Sequence, residues 1–273
     1  MLVIRMDQRS IKETLADLGV FPDRKLGQTF LADEAVAERE ALSTDITKND
    51  VVLEIGPGLG ILTSRLCALA GRVIAVEKDR RLSRYLTETL ALDNLEVITG
   101  DALEIELPLF DIAAGNLPYS VSSPILFRLS EHGMGRGIFM IQKEVAERVV
   151  AVPFTAEYSR MSASLQRLYE TIYLFDVGHS HFYPSPDVDS AVVRLLRREN
   201  AKPWPEFDSV VTLLFSQRRK TINAILRKSV AGYQSLQERV PFGDRRIEEL
   251  TNREMEKLVS WIIEKGLSIP ARN

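Results

Sequence analysis

The chain has 273 residues, 45% hydrophobic and 27% charged, enough to bury an ordinary core in one large domain with a smaller one beside it. No apolar run approaches the roughly 18 to 20 residues that cross a bilayer, and the first six residues are too soon charged for a secretory leader, so the cytoplasm is the expected compartment. A single cysteine, Cys67, excludes an internal disulfide, and His179-x-His181 without further ligands nearby lacks a zinc spacing; no metal is expected. The formal charge of −3 conceals an asymmetry. From Arg194 to Ala231 there are nine Lys/Arg against three Asp/Glu, a net of +6; the tail beyond is balanced at seven each, which leaves −9 on the first 193 residues. A basic segment on an acidic body suits a polyanionic partner or, equally, a solvated helix face.

Val51 to Ile55 (VVLEI) is a strand-like run that stops at Gly56-Pro57-Gly58-Leu59-Gly60, after which Ile61 to Leu69 resumes at helical spacing. Arg72 to Glu77 is predicted as a second strand, Asp79 to Leu92 as an amphipathic helix, and Leu95 to Thr99 as a third strand ending at Gly100-Asp101. Asp111 to Gly115 gives a fourth strand, Pro124 to His132 a helix, Gly137 to Ile141 a fifth strand and Glu144 to Val150 a helix. Repeated βαβ units with buried strands predict an α/β fold with a doubly wound, mostly parallel sheet. After a helix at Ser159 to Tyr169, the runs Thr171 to Val177 and Ala191 to Leu196 have no helix between them and are expected to form an antiparallel pair at the sheet edge. Lys202-Pro203-Trp204-Pro205 reads as a linker. Helices are predicted at Phe207 to Phe215, Arg219 to Ser229, Arg245 to Glu249 and Arg253 to Glu264. The expected organisation is a cofactor-binding catalytic domain over residues 1–200 and a small C-terminal helical domain over 201–273.

A glycine turn between strand and helix lets backbone N–H groups approach a ligand, and a carboxylate ending the next strand can accept from a ribose. Gly56 and Glu77, 21 residues apart, fit those roles. In G-P-G-L-G the third glycine comes one residue too early for a dinucleotide fingerprint, which disfavours a pyrophosphate ligand. The run from Glu54 to Gly60 instead resembles the first motif of S-adenosylmethionine-dependent methyltransferases, and Asp101 stands where that superfamily sets an acidic residue against the adenine amino group. The predicted fourth strand ends in Asn116-Leu117-Pro118-Tyr119 at the same crevice. An adenine amino group is a poor nucleophile; a side-chain carbonyl and a backbone carbonyl that accept from it, and a ring that stacks on an extruded base, are what its methylation needs.

The stretches NLPYSVSSPIL, KLGQTFLAD (Lys25 to Asp33), EIGPGLGILT, GDAL, FYPSPDVDSAVV (Phe182 to Val193) and FSQRRKTI (Phe215 to Ile222) together resemble the ribosomal RNA adenine dimethyltransferase family, KsgA and its archaeal and eukaryotic Dim relatives, over roughly residues 24 to 265. The resemblance implies a Rossmann-like methyltransferase sheet and transfer of methyl groups from S-adenosylmethionine to N6 of two adjacent adenines near the 3′ end of small-subunit rRNA, during subunit assembly. It implies cofactor contacts from Gln28, Thr29, Leu31, Gly56, Glu77, Asp101 and Asn116, with Thr29 standing where the family often has Asn or His. It implies a catalytic group of Asn116, Leu117, Pro118, Tyr119 and, facing Tyr119 across the base, Phe182. It also implies RNA contacts from Arg218, Arg219, Lys220 and Arg227. The expected partner is small-subunit rRNA in a pre-ribosomal particle, with no membrane and a monomeric free protein. Three other readings stand against it: a methyltransferase acting on large-subunit rRNA, a dinucleotide oxidoreductase, and a noncatalytic RNA-binding factor on the same fold.

Overall fold

The computed structural model describes residues 7–22, 28–235 and 238–267 and begins with elements that the hydrophobic pattern does not announce. Helix α1 (Gln8–Asp17) starts at a capping box in which the Asp7 carboxylate accepts from Ser10 N at 2.8 Å, and it buries only Ile11 and Leu15. Strand β1 (Phe30–Leu31) is two residues long. Helix α2 (Glu34–Leu42) is capped by Asp33, which accepts from the amides of Ala35 and Val36, and its inward face is made of Ala37, Glu40 and Ala41. Two small residues and a carboxylate leave almost no apolar stripe to read.

The βαβ units follow. Strand β2 (Val51–Ile55) leads into α3 (Ile61–Leu69), β3 (Arg72–Glu77) into α4 (Arg80–Leu90), and β4 (Leu95–Thr99) into β5 (Ile112–Asn116); α5 (Ser122–Glu131), β6 (Arg136–Gln142) and α6 (Lys143–Val150) complete the series. Strands β2, β3, β5 and β6 are buried along nearly their whole length, as strands covered on both faces must be. Beyond α7 (Arg160–Leu168) come β7 (Tyr169–Val177), β8 (Phe182–Tyr183) and β9 (Ser190–Arg197). The seven-stranded sheet runs β4-β3-β2-β5-β6-β9-β7. β4, β3, β2, β5 and β6 are parallel, and β9 is antiparallel to β6. The pair predicted at the edge is there, but its second strand lies inside: β9 is inserted between β6 and β7, so Ala191, Val192 and Val193 are fully buried. β1 and β8 form a separate antiparallel ribbon that sets Leu31 opposite Phe182.

The second unit is helical. Helix α8 (Pro205–Phe215) starts with proline in its first turn, α9 (Ile222–Ser229) is capped by Thr221, and α10 (Asn252–Glu264) by a Thr251–Glu254 capping box. Phe207, Val211, Leu214, Ile225, Leu226, Leu258 and Ile262 form its core. Three expectations need correcting here. Residues 147–170, which include the first two residues of β7, group with this unit, while the described residues up to 146 together with 171–197 form the sheet unit, so the chain crosses between units more than once and not only near residue 201. Residues 219–221 are not helical: α9 begins at Ile222, leaving Arg218, Arg219 and Lys220 in the preceding turn. Arg245 to Glu249 forms a single turn of 3-10 helix at Ile247–Glu249, and Arg246 before it bridges to Thr221 in a β-type pairing.

Candidate cofactor and base site

In a sheet of this order the strand sequence reverses between β2 and β5, and the crevice beyond their carboxyl ends is where ligands settle on open α/β folds. The sequence delivers its chemistry there. Gly56, Gly58 and Gly60 all adopt positive φ, at 69°, 59° and 86°, and Gly60 turns the chain into α3. A Cβ on Gly60 would strike Leu86 and Leu90 at 2.8 Å, so this glycine also permits close helix packing. At Gly56 a Cβ would sit 3.8 Å from Pro118 Cδ and 4.0 Å from the Asn116 carbonyl oxygen, which brings the glycine turn and the tetrad side by side.

Glu77 ends β3 and is 7% exposed. Its carboxylate accepts from Gly58 N at 3.2 Å and from Asp79 N at 2.9 Å. Burial pushes its carboxyl above the usual range, and the two amides act against that shift. Asp101, just past β4, accepts from Lys78 Nζ at 2.6 Å and from Leu103 N at 2.8 Å; the lysine first, then the amide, hold it below the ordinary carboxylate range. The Gly100 amide donates to the Glu77 carbonyl at 2.9 Å, which ties the two acidic positions to one rim.

Asn116 is the last residue of β5, one residue later than the predicted strand end. Its carboxamide faces Glu40 of α2; with the nitrogen turned inward it donates to both carboxylate oxygens, at 3.1 and 2.9 Å. Glu40 is fully buried, and burial followed by the negative charge of Glu54 drives its carboxyl well above the usual range. Glu54, also buried, is pushed up to about 8, mainly by burial, with the charge of Glu77 adding and Thr63 opposing. Sequence reading missed Glu40, because Ala37 and Ala41, its inward companions on α2, make no apolar stripe that would mark the buried face.

Leu117 is buried and its amide donates to the Met140 carbonyl at 3.0 Å, while the Pro118 carbonyl accepts from Val121 at 3.1 Å. The Tyr119 hydroxyl pairs with Ser190 Oγ at 2.6 Å and also with the Thr29 side chain; burial raises its pKa against both bonds. Thr29 therefore reaches the tetrad through its side chain. The Phe30 ring lies against Gly58, with its Cδ1 3.1 Å from where a Cβ there would stand. Gln28 is exposed, and Leu31 is a core residue at 4% exposure. Residues 25–27 of the KLGQTFLAD stretch lie outside the described residues.

Phe182 departs from the expectation of an open stacking ring. It is 3% exposed and packs in the sheet unit's core with Leu31 and Val177. Neighbouring contacts fix its loop: Gln8 Nε2 donates to the carbonyls of Ser180 and Phe182, and the Tyr183–Pro184 peptide is cis. The two histidines are tied to carboxylates, His179 Nδ1 to Asp189 at 2.8 Å and His181 Nδ1 to the α2 cap Asp33 at 2.7 Å.

In the helical unit the basic motif divides. Arg218 pairs with Glu248 and donates to the carbonyls of Ala156 at 2.8 Å and Thr155 at 3.3 Å. Arg219, Lys220 and Arg227 are exposed.

Known proteins match this arrangement along most of the chain. The family model for ribosomal RNA adenine dimethylase matches residues 22–264. A probable ribosomal RNA small subunit methyltransferase A of Thermococcus onnurineus is 35% identical over 258 residues, 91% of this chain and 95% of the relative. The crystal structure of a dimethyladenosine transferase from Plasmodium falciparum superposes with a TM-score of 0.80 at 27% identity, covering 88% of this chain and all of the other. That of the 23S rRNA methyltransferase ErmE gives 0.67 at 28% identity, over 85% and 98%. The chain belongs to the ribosomal RNA adenine dimethylase family.

Proposed function

We propose that this enzyme methylates N6 of two adjacent adenines near the 3′ end of small-subunit rRNA, giving N6,N6-dimethyladenines in a pre-ribosomal small subunit. The observation that carries the reading is the meeting of the glycine turn, Glu77, Asp101 and the Asn116–Tyr119 tetrad along one rim of a parallel sheet. S-adenosylmethionine is the cofactor, and it supplies an electrophilic methyl group on a sulfonium. The rim suits it: a buried carboxylate for ribose hydroxyls at Glu77, a carboxylate for an amino group at Asp101, and no phosphate-binding fingerprint in the turn. The Asn116 carbonyl oxygen, turned away from Glu40, and the Leu117 backbone carbonyl would accept from the adenine amino group; such bonds strengthen as its nitrogen pyramidalises. Tyr119, held by Ser190 and Thr29, would stack on the extruded base. Phe182, packed in the core, is not placed to cover the other face of that base, so the stacking role falls to Tyr119. Arg219, Lys220 and Arg227 would hold RNA phosphates, and Arg218 would serve them by shaping the turn.

The likeness to ErmE keeps large-subunit RNA as the competing substrate. The small-subunit reading is supported by the relative named for that subunit, which has the higher identity and spans more of the chain. Labelled S-adenosylmethionine offered with unmethylated small subunits and, separately, with large subunits tests it, followed by mapping of the modified nucleotides. Label in two neighbouring adenines of the small-subunit RNA is expected; label in large-subunit RNA alone would overturn the proposal.

A further inference from the structure

Glu40 is a fully buried carboxyl group. Among the described residues it makes no ion pair: the neighbouring Arg39 lies over the Phe175 ring at 3.7 Å, and Arg65 of α3 is shared by Glu34 and Glu38 at 2.9 and 3.2 Å. Lys48 donates to the carbonyls of Ala68 and Ala70. Facing Glu40 from β2 is Glu54, which in turn feels Glu77 of β3, while the Cys67 thiol of α3 is pushed up to about 12 by burial and by Glu54. Burying a carboxyl group among like charges is costly, and apolar side chains of similar volume would fill the place without that cost. What Glu40 touches is the one side chain whose orientation decides the chemistry.

A carboxamide has two ends of nearly the same shape and opposite hydrogen-bonding sense. An adenine amino group needs the oxygen end; the nitrogen end would meet it donor to donor. A carboxylate only accepts. Facing both oxygens of an ionised Glu40, Asn116 can be satisfied in one way, with its nitrogen inward and its oxygen toward the crevice. We propose that Glu40 is a positioning residue for methyl transfer, whose carboxylate fixes the Asn116 carboxamide with its carbonyl outward. The proposal rests on Asn116 being the acceptor for the adenine amino group. A proton on Glu40 removes the selection, because its hydroxyl can donate to the Asn116 oxygen while its carbonyl still accepts from the nitrogen, so that either end can face the crevice. Burial and Glu54 favour that proton, and the two bonds from Asn116 oppose it.

Glu40→Gln keeps the shape but can satisfy either orientation of Asn116. Its kcat is expected to fall by about tenfold, with KM for the small subunit and calorimetric affinity for S-adenosylmethionine little changed, since the lost interaction acts on the transition state. In the wild type kcat rises with pH as Glu40 ionises; in Glu40→Gln that limb is absent, and Glu40→Asp regains it together with part of the rate. A readout independent of turnover comes from the cofactor-free protein. The Asn116 side-chain amide resonance, identified by its loss in Asn116→Ala, should shift with pH in the wild type and stay fixed in Glu40→Gln. Wild-type kcat and pH profile in Glu40→Gln, or an unaltered amide resonance, would overturn the proposal. Undiminished transfer by Asn116→Ala would instead strike at the role of the tetrad itself, so the two failures are distinguishable.

Discussion

The sheet unit and the helical unit place functional groups in opposite ways. Around the β2–β5 rim three carboxyl groups are withdrawn from water: Glu77, Glu40 and Glu54 are buried, and the pKa of each is raised by that burial. In the helical unit Arg219, Lys220 and Arg227 stand in solvent, and the one arginine of the motif that is engaged, Arg218, is bound to its own fold. A buried polar group is fixed in position at a cost in stability, which suits a task set by ångströms. An exposed cation keeps its freedom and its hydration, which suits attraction to a polyanion whose phosphates are many and similar.

The contrast is tested most severely at the tetrad. Asn116→Ala should leave small-subunit binding intact and lower kcat by on the order of 10²–10³, the usual consequence of removing a preorganised dipole at a reacting centre; Tyr119→Ala should also spare binding and lower kcat, through loss of the stacking ring. Filter binding and labelled-methyl transfer separate the two; loss of both together would mean that the rim also anchors the RNA.

The cost of the buried carboxyls should appear in the pH dependence of stability. Below about 4.5, the ordinary value for a glutamate, Glu54 is protonated in both folded and unfolded chains and contributes no slope. As pH rises from there to about 8 the unfolded chain releases the proton while the folded one keeps it, so stability falls; above about 8 the folded group ionises too and the loss levels off. The slope is at most about 1.4 kcal/mol per pH unit for each such group, and Glu40 and Glu77 act in the same direction. Thermal denaturation between pH 5 and 8 should show a falling Tm, and Glu54→Gln should flatten the fall. A Tm that climbs over that window would mean that these groups are ionised and compensated.

Within the helical unit the motif itself divides by role. Arg218→Ala removes bonds to Glu248 and two carbonyls and should destabilise the protein by about 2 kcal/mol, as for hydrogen bonds from a charged group. Arg219→Ala with Lys220→Ala should leave Tm unchanged, weaken RNA binding, and reduce the slope of log K against log salt by about 2, one per phosphate contact. Reversal of these two results would return Arg218 to the RNA and make its neighbours structural.

That division shows what sequence can carry. The parallel strands, the glycine turn and the tetrad were legible because each is written within a few residues: apolar runs, positive-φ glycines and a proline stop. Most of what was not legible depends on partners far along the chain. Arg218 answers to Glu248, thirty residues on; β9 lies inside the sheet because it pairs with β6; and Phe182 is buried because β8 meets the two-residue β1. The helical unit takes residues 147–170 for the same reason, through contacts such as that of Ser164 with Asp208. Glu40 is the instructive case: α2 has no apolar stripe to mark its inward face, so the position of Glu40 came only from the fold and its meaning only from Asn116.

The smallest expected effect concerns Phe154, in the loop whose next two carbonyls Arg218 holds. Its φ is 72° and it is 73% exposed, so it carries left-handed strain with little burial to offset it. A non-glycine residue in that region costs roughly 1–2 kcal/mol, while glycine adds about 0.4–1 kcal/mol of unfolded-state entropy. Phe154→Gly should therefore raise stability by about 0.5–1 kcal/mol, measured as a small increase in the denaturant midpoint at unchanged m-value. A lower midpoint would show that the ring is packed in solution and that this surface is shaped for stability, as the sheet unit's core is. A higher midpoint would extend to an aromatic residue what is expected of the exposed charges Arg219 and Lys220, that such positions in the helical unit are not built for stability.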